Sequence, residues 1–276
     1  MTEIAIIGAG WLGAPLAQQL TKQGHSTIVT KQSQDGLDSL DSLSGFVCNL
    51  SDRDSASDLV FQLKRHSVHT VIGAFPPGFR KGKREEYVDW WKTLVEASLS
   101  AGVKKLVMVS STTVYPSVAE VMTEEKASYE LARDNSQFSD KARLMLLAEK
   151  QVIDSTLKFA IVRLSGLFGP QRNPARFISK LKAISRLAPV NMLHLDDAIN
   201  ATIFAGLSID NEVINVTTPN TVSKAEFYSK AAEISGLKDE LPEFVDVVDK
   251  QISPSKLLKL GYHFHHQHVF DGLNAL

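Results

Sequence analysis

Ile4-Ala5-Ile6-Ile7-Gly8-Ala9-Gly10-Trp11-Leu12-Gly13-Ala14-Pro15-Leu16-Ala17-Gln18-Gln19-Leu20 is the stretch that decides the fold. A short apolar run ends in glycine, as a parallel strand buried on both faces does. Leu12, Leu16 and Leu20 then recur at helical spacing. A G-x-G-x-x-G therefore sits where a strand turns into a helix. Gly8 allows the tight turn, Gly10 lets a pyrophosphate approach the backbone, and Gly13 lets the helix pack close to the strand. The helix N-terminus offers N–H groups and a partial positive charge to phosphates. The pattern predicts a dinucleotide site formed by Gly8, Gly10, Trp11, Leu12 and Gly13.

The next strand, Ser26 to Thr30, runs into Lys31-Gln32-Ser33, and no carboxylate appears before Asp35. An acidic residue at that strand end would hold the ribose 2′-hydroxyl of NAD. Thr30, Lys31 and Ser33 suit a 2′-phosphate instead, so NADP is the expected cofactor, with NAD as the other option.

Further strands are predicted at Gly45 to Cys48, Thr70 to Phe75, Lys105 to Val109, Phe159 to Leu164, Val190 to Leu195 and Val213 to Val216. Helices are predicted at Asp54 to Arg65, Arg84 to Ser100, Asp140 to Ser155 and Arg172 to Arg186, with others opening at Asp196-Asp197 and at the capping box Ser223-x-x-Glu226. Pro76-Pro77 ends the fourth strand in an open loop. Trp90, Trp91, Leu94, Val95 and Leu99 share a helix face and read as core or subunit interface. Hydroxyls cluster after the fifth strand, in Ser110-Ser111-Thr112-Thr113-Val114-Tyr115. Glu120 to Phe138 reads as a loop or frayed helix. Tyr262-His263-Phe264-His265-His266-Gln267-His268 offers histidines to a metal, but its alternation reads as an edge strand, so no metal site is expected.

This pattern predicts an α/β fold: a Rossmann doubly wound parallel sheet with helices on both faces and a small C-terminal lobe. Residues 1–169 would form the dinucleotide-binding domain, and residues 170–276 a substrate lobe folding back onto it, some elements returning to the main sheet. The chain has 276 residues, 43% of them hydrophobic and 22% charged, with a net charge of −1. That balance gives no electrostatic footprint for nucleic acid. The basic cluster Lys81, Lys83 and Arg84 reads as a solvated loop. Cys48 stands alone and reads as a buried thiol. No apolar run is long enough for a membrane span. A cytoplasmic protein acting on a small-molecule substrate is expected, as a monomer or homodimer.

Several stretches together resemble the short-chain dehydrogenase/reductase superfamily, in its extended and atypical branch of epimerase/dehydratases and nucleoside-diphosphate-sugar epimerases. They are Gly8 to Gly13, Ser110 to Tyr115, Arg163-Leu164-Ser165-Gly166-Leu167-Phe168-Gly169-Pro170, Asn191-Met192-Leu193-His194-Leu195-Asp196-Asp197, and Asn215-Val216-Thr217. The resemblance implies that Ser111 is the catalytic serine. It implies that Asn49 and Leu50 lie near the adenine, and Phe75 and Pro76 near the nicotinamide ribose. It places Tyr115, Arg172, Asn191 and His194 along the substrate pocket. The family's Y-x-x-x-K acid/base pair aligns on Lys141 and Met145, neither of which can fill the role. Tyr129, with Arg133 one turn on, is then an acid/base candidate beside Tyr115. Two functions follow: an NAD(P)-dependent enzyme acting on a hydroxyl or carbonyl, or a non-catalytic NADP-binding sensor.

Overall fold

The opening apolar run forms β1 (Glu3–Ile7), with Ile4 to Ile7 all essentially buried. Six more strands of the same sheet follow in chain order: β2 (Ser26–Lys31), β3 (Gly45–Val47), β4 (Thr70–Gly73), β5 (Lys105–Ser111), β6 (Lys158–Leu164) and β7 (Glu212–Val216). The computed structural model describes residues 2–40, 42–79 and 85–276. The Lys81, Lys83 and Arg84 cluster lies outside them. Across the sheet the order is β7-β6-β5-β4-β1-β2-β3. β1 pairs in parallel with both β2 and β4, β2 with β3, and β4 with β5. The chain winds outward from β1 to β3, returns to β4 and winds the other way. The switch point of this doubly wound sheet therefore lies between β1 and β4.

Parallel neighbours need crossover connections, and amphipathic helices supply them. The helix Gly13–Lys22 buries Leu16, Ala17 and Leu20. The helix Arg53–Arg65 starts where the Asp52 carboxylate accepts the Asp54 N–H at 3.1 Å. The helix Glu86–Ala101 buries Trp90, Trp91 and Leu94 and ends at Gly102, with φ of 78°. That puts Trp90, Trp91, Leu94 and Val95 in the core, whereas Leu99, expected on the same face, is exposed. The helix Asp140–Ile153 starts where Ser139 Oγ accepts the Ala142 N–H at 3.2 Å. Each large apolar side chain so buried contributes roughly 1.5–3 kcal/mol.

The chain forms two compact units: residues Met1–Ser110, Ser128–Val162 and Thr202–Val213 in one, and Ser111–Ala127, Arg163–Ala201 and Ile214–Leu276 in the other. The division is interleaved, not a single boundary at residue 169. Residues 202–213 return to the first unit, and residues 111–127 and 163–169 go to the second. The second unit is held by short parallel pairs: Gly166–Phe168 with Met192–His194, Ala183–Ser185 with Glu243–Val245, and Val121–Met122 with Gln251–Ile252. Its apolar core gathers Phe168, Ile178, Val190, Phe227, Val269 and Leu273.

Two sequence expectations are corrected here. The basic helix over Arg172 to Arg186 is a 3-10 turn, Pro174–Lys180, followed by the strand Ala183–Ser185. Ala175 and Ile178 bury one face three residues apart, and Ile184 is claimed by pairing with Phe244; that tertiary ladder overrides a weak local preference. The segment Tyr262 to His268 carries no strand. Its alternation is real, with Tyr262, Phe264 and His266 buried and His263 and His265 exposed. The Asp197 carboxylate, not a strand, accepts the His265 and His266 N–H groups at 2.7 and 3.0 Å. The Ser223 capping box is present as expected, at the start of the helix Lys224–Ile234.

Candidate functional site

Gly8 follows β1 with φ of 102°, a left-handed conformation that glycine adopts without strain. A Cβ on Gly8 would stand 3.2 Å from the Phe75 backbone, and one on Gly13 would stand 2.2 Å from Gly8 O. A Cβ on Gly10 would meet nothing within 4 Å. The three glycines therefore have different jobs. Gly8 and Gly13 close the turn against β4 and the helix. Gly10 leaves an open face where a pyrophosphate can reach the backbone. Thr30 Oγ1 accepts the Gly8 N–H at 3.1 Å and Thr30 O accepts the Ala9 N–H at 2.9 Å. Buried Thr30 thus fixes the loop, its hydroxyl oxygen accepting there. Leu12 is buried and Trp11 half-buried beside the loop.

Lys31 ends β2 half-buried. Ser33 accepts the Gly36 N–H at 3.3 Å and caps a short helix. The Asn49 N–H donates to Ser55 Oγ at 2.8 Å, and Asn49 Oδ1 accepts the Ser51 N–H at 3.2 Å. Trp90 Nε1 donates to Ser51 Oγ at 2.9 Å, so the Asn49–Leu50 loop is anchored to the core. Phe75 continues β4, and the Ala74 N–H donates to Ile7 O at 2.9 Å. The Phe75 ring packs at 4.8 Å from Trp91 and edge-on to Tyr87 and Trp90. Pro76 beyond it is exposed. Gly8, Lys31, Asn49 and Phe75 thus all follow or end strands at the carboxyl edge of the sheet, around the switch point. The residues present fit a nicotinamide dinucleotide: the open face at Gly10 is what its pyrophosphate needs.

In the second unit, Ser111 Oγ accepts the Thr113 N–H at 3.1 Å and lies 3.0 Å from Thr113 Oγ1. Tyr115 is 2% exposed. Its hydroxyl donates to Asn215 Oδ1 at 2.7 Å and accepts from Arg163 Nη1 at 2.9 Å. Burial pushes the Tyr115 phenol up to about 12, against the lowering effect of the Arg163 charge. Arg163, itself buried, also donates to the Glu124 and Ala127 carbonyls at 3.0 and 2.8 Å. Glu124 Oε1 accepts the Asn215 N–H at 2.7 Å, while burial holds that carboxyl above its usual range. Arg163 was legible as an oddity, since a charge inside the run Phe159 to Leu164 demands a buried partner. Its partners come from far along the chain.

Asn191 is used at both ends: Nδ2 donates to Lys250 O and Oδ1 accepts the Ile252 N–H, each at 2.9 Å. Lys250 Nζ in turn donates to the Tyr115 and Pro116 carbonyls at 2.9 and 3.2 Å. His194 is 3% exposed, and its Nδ1 accepts the Asp196 N–H at 3.3 Å. Burial first, against the raising effect of Asp196, holds the ring below its ordinary pKa. Arg172 is exposed.

Tyr129 begins a one-turn helix, Tyr129–Ala132, half-buried in the first unit. The Arg133 guanidinium lies 3.0 Å from the Asp134 carboxylate, both side chains being exposed. On the helix Asp140–Ile153, Lys141 is exposed and Met145 buried. One turn beyond Met145, buried Glu149 accepts the Ser110 hydroxyl at 2.6 Å and ties that helix to β5. Among the described residues, no helix is long and apolar enough to cross a membrane.

Residues 4–216 match the NAD dependent epimerase/dehydratase family. Among curated proteins, the chain is 27% identical over 285 residues to protein YeeZ of Escherichia coli strain K12, covering 96% of each. Among solved structures, it superposes on the Bordetella bronchiseptica enzyme WbmH in complex with NAD+, with a TM-score of 0.78 at 15% identity over 100% of this chain and 97% of that one. UDP-glucose 4-epimerase of Thermotoga maritima with UDP-glucose gives a TM-score of 0.76 at 17% identity, covering 99% and 97%. At such identities the two structures speak to the fold.

Proposed function

Because this chain belongs to the NAD dependent epimerase/dehydratase family, we propose that it binds a nicotinamide dinucleotide at Gly8 to Gly13 and acts on the hydroxyl or carbonyl of a small substrate of the nucleotide-sugar class. The observation that carries this is the open face at Gly10, between Gly8, left-handed and tightly packed, and Gly13, which has no room for a side chain. When bound, the nicotinamide supplies hydride transfer. The chain's residues do the rest. The glycine loop and helix N-terminus hold the phosphates. Lys31 selects NADP over NAD by pairing with the 2′-phosphate, Thr30 being buried beneath the loop. Asn49 and Leu50 border the adenine, and Phe75 and Pro76 the nicotinamide ribose. Ser111 hydrogen-bonds the reacting oxygen, Tyr129 is the candidate proton donor, and Arg172 pairs with an anionic substrate group. Tyr115, Asn191 and His194, all engaged or buried, act as supports of the second unit.

A second reading is a dinucleotide-binding sensor without turnover. It is favoured by exposed Lys141 and buried Met145 at the positions where the family's resemblance expects tyrosine and lysine. NADPH oxidation and NADP+ reduction, screened against nucleotide sugars and simple carbonyls, separate the two. Turnover that falls about 10²–10⁴-fold in Ser111→Ala or Tyr129→Phe supports the enzyme. Tight dinucleotide binding with no turnover supports the sensor.

A further inference from the structure

His194 ends a strand, and Asp196 stands two residues on, in the first turn of the helix Leu195–Ser208. His266 comes from the far end of the sequence. The second unit brings the three together. His194 Nδ1 lies 3.4 Å, and His266 Nε2 3.6 Å, from the same oxygen, Asp196 Oδ2. One ligand atom from each residue lies within 4.8 Å of the other two. The two imidazoles are 4% and 7% exposed, whereas the Asp196 side chain is 52% exposed and gives the cluster a way in from solvent.

His266 Nε2 is buried and has no hydrogen-bond partner. Its approach to Asp196 is too long to be a hydrogen bond. A buried polar atom left in that state is rare enough to require an explanation. His194 Nδ1 accepts the Asp196 N–H at 3.3 Å, a long bond that engages its one lone pair and that a cation would displace. One buried ring nitrogen without a partner, a second in a long bond, and one carboxylate oxygen then converge.

The surroundings hold this arrangement in place. Asp197 is fully buried and does not join the cluster. Its carboxylate accepts the His265 and His266 N–H groups at 2.7 and 3.0 Å, and the Tyr262 hydroxyl donates to the Asp197 carbonyl at 3.2 Å. These bonds pin the segment carrying His266 against the residues after His194. The Phe168 ring stands edge-on to His194, with centroids 5.4 Å apart, and walls the site with apolar surface. Gly272 makes room for both: a Cβ there would fall 2.8 Å from the Phe168 ring and 3.2 Å from His194 Cβ.

We propose that His194, Asp196 and His266 bind a divalent first-row transition cation of the Zn2+ class. Metal–ligand bonds of about 2.0–2.2 Å put tetrahedral neighbours roughly 3.3–3.5 Å apart, close to the two separations seen. Two imidazoles with one carboxylate suit such an ion and not Mg2+ or Ca2+, which take oxygen ligands. Three protein ligands leave a position for water on the exposed side of Asp196. The ion would join residue 266 to residues 194 and 196, closing the C-terminal segment onto the start of the helix. This site lies wholly within the second unit and stands whether or not the proposed function does.

The test uses the full chain, freed of any tag, stripped with chelator and titrated calorimetrically with Zn2+ at neutral pH. One equivalent is expected to bind, with a melting temperature that rises with Zn2+ and not with Mg2+. His266→Gln and Asp196→Asn are each expected to weaken Zn2+ more than tenfold, the scale on which even outer-shell changes act. Exposed His263→Gln and His265→Gln should leave it unchanged. If His266→Gln fails to fold, Asp196→Asn decides, because that side chain is half exposed. No one-equivalent site in the wild type, or equal Zn2+ affinity in Asp196→Asn, would overturn the proposal.

Discussion

Gly10 and Gly13 belong to one motif and respond to substitution in different ways. Gly10→Asp adds a carboxylate on the open face and meets no protein atom within 4 Å of its Cβ. It should fold normally and lose at least two decades of dinucleotide affinity, about 2.7 kcal/mol by calorimetry. Equal affinity in both proteins would remove the glycine loop from the site. Gly13→Ala instead drives a Cβ to 2.2 Å from Gly8 O. It should destabilise by about 1–3 kcal/mol through overpacking, read as a fall in denaturation midpoint before any ligand is added. Lys31→Ala should weaken NADP by about one to two decades and NAD far less, since one charge-assisted contact contributes roughly 1.5–3 kcal/mol. An unchanged NADP/NAD ratio would take Lys31 out of the 2′-phosphate site. That Gly13 has no room for a side chain was legible in sequence because its clash is with Gly8, five residues away. The hydrogen bond from Gly8 to Thr30 was not, since it depends on the register of β2 beside β1.

Between elements, buried polar bonds and one charge cluster set the connections. Tyr115→Phe leaves Asn215 Oδ1 and Arg163 Nη1 without the phenol in a buried network. It should lower stability by about 1–3 kcal/mol, measured by denaturant unfolding, and this loss must be subtracted before any rate effect is assigned to Tyr115. Asp210, after the helix Leu195–Ser208, pairs with buried Lys105 at 3.1 Å and exposed Lys158 at 2.6 Å. Those two lysines hold its carboxyl below the ordinary 3.8. The folded pKa is thus depressed, so its stabilisation is present above the unfolded value and lost as pH falls through the folded one. Asp210→Asn should flatten that part of the acid unfolding curve below about pH 4 and leave Lys105 buried without its carboxylate at neutral pH. An acid limb identical to wild type would show that the ion pairs contribute nothing. The main helices and strands of the first unit were legible from local signals: an apolar period in the helix Gly13–Lys22, and caps at Asp52 and Ser139 for two others. The strand Ala183–Ser185 after the 3-10 turn Pro174–Lys180 was not, because pairing with residues 243–245 decides it.

For the whole molecule, a ligand that binds only the folded chain raises its stability by mass action. NADP at a hundred times its Kd should add about 2.7 kcal/mol in wild type and little at the same concentration in Gly10→Asp. A melting temperature indifferent to dinucleotide in wild type would contradict the proposed function at its base. What the sequence by itself determined is the doubly wound sheet and the glycine loop. Strand period, helix period, caps and glycine sterics are properties of neighbours in the chain, and they agree with one another over residues 4 to 111. What only the tertiary structure decided is the interleaving of the two units, the burial of Tyr115 and the meeting of His266 with His194 and Asp196. The histidine-rich tail read as a strand because alternation records which side chains face inward. It does not record what they face. That information lies in Asp197, sixty-nine residues before His266, whose carboxylate replaces a strand partner and turns one ring toward the Asp196 oxygen.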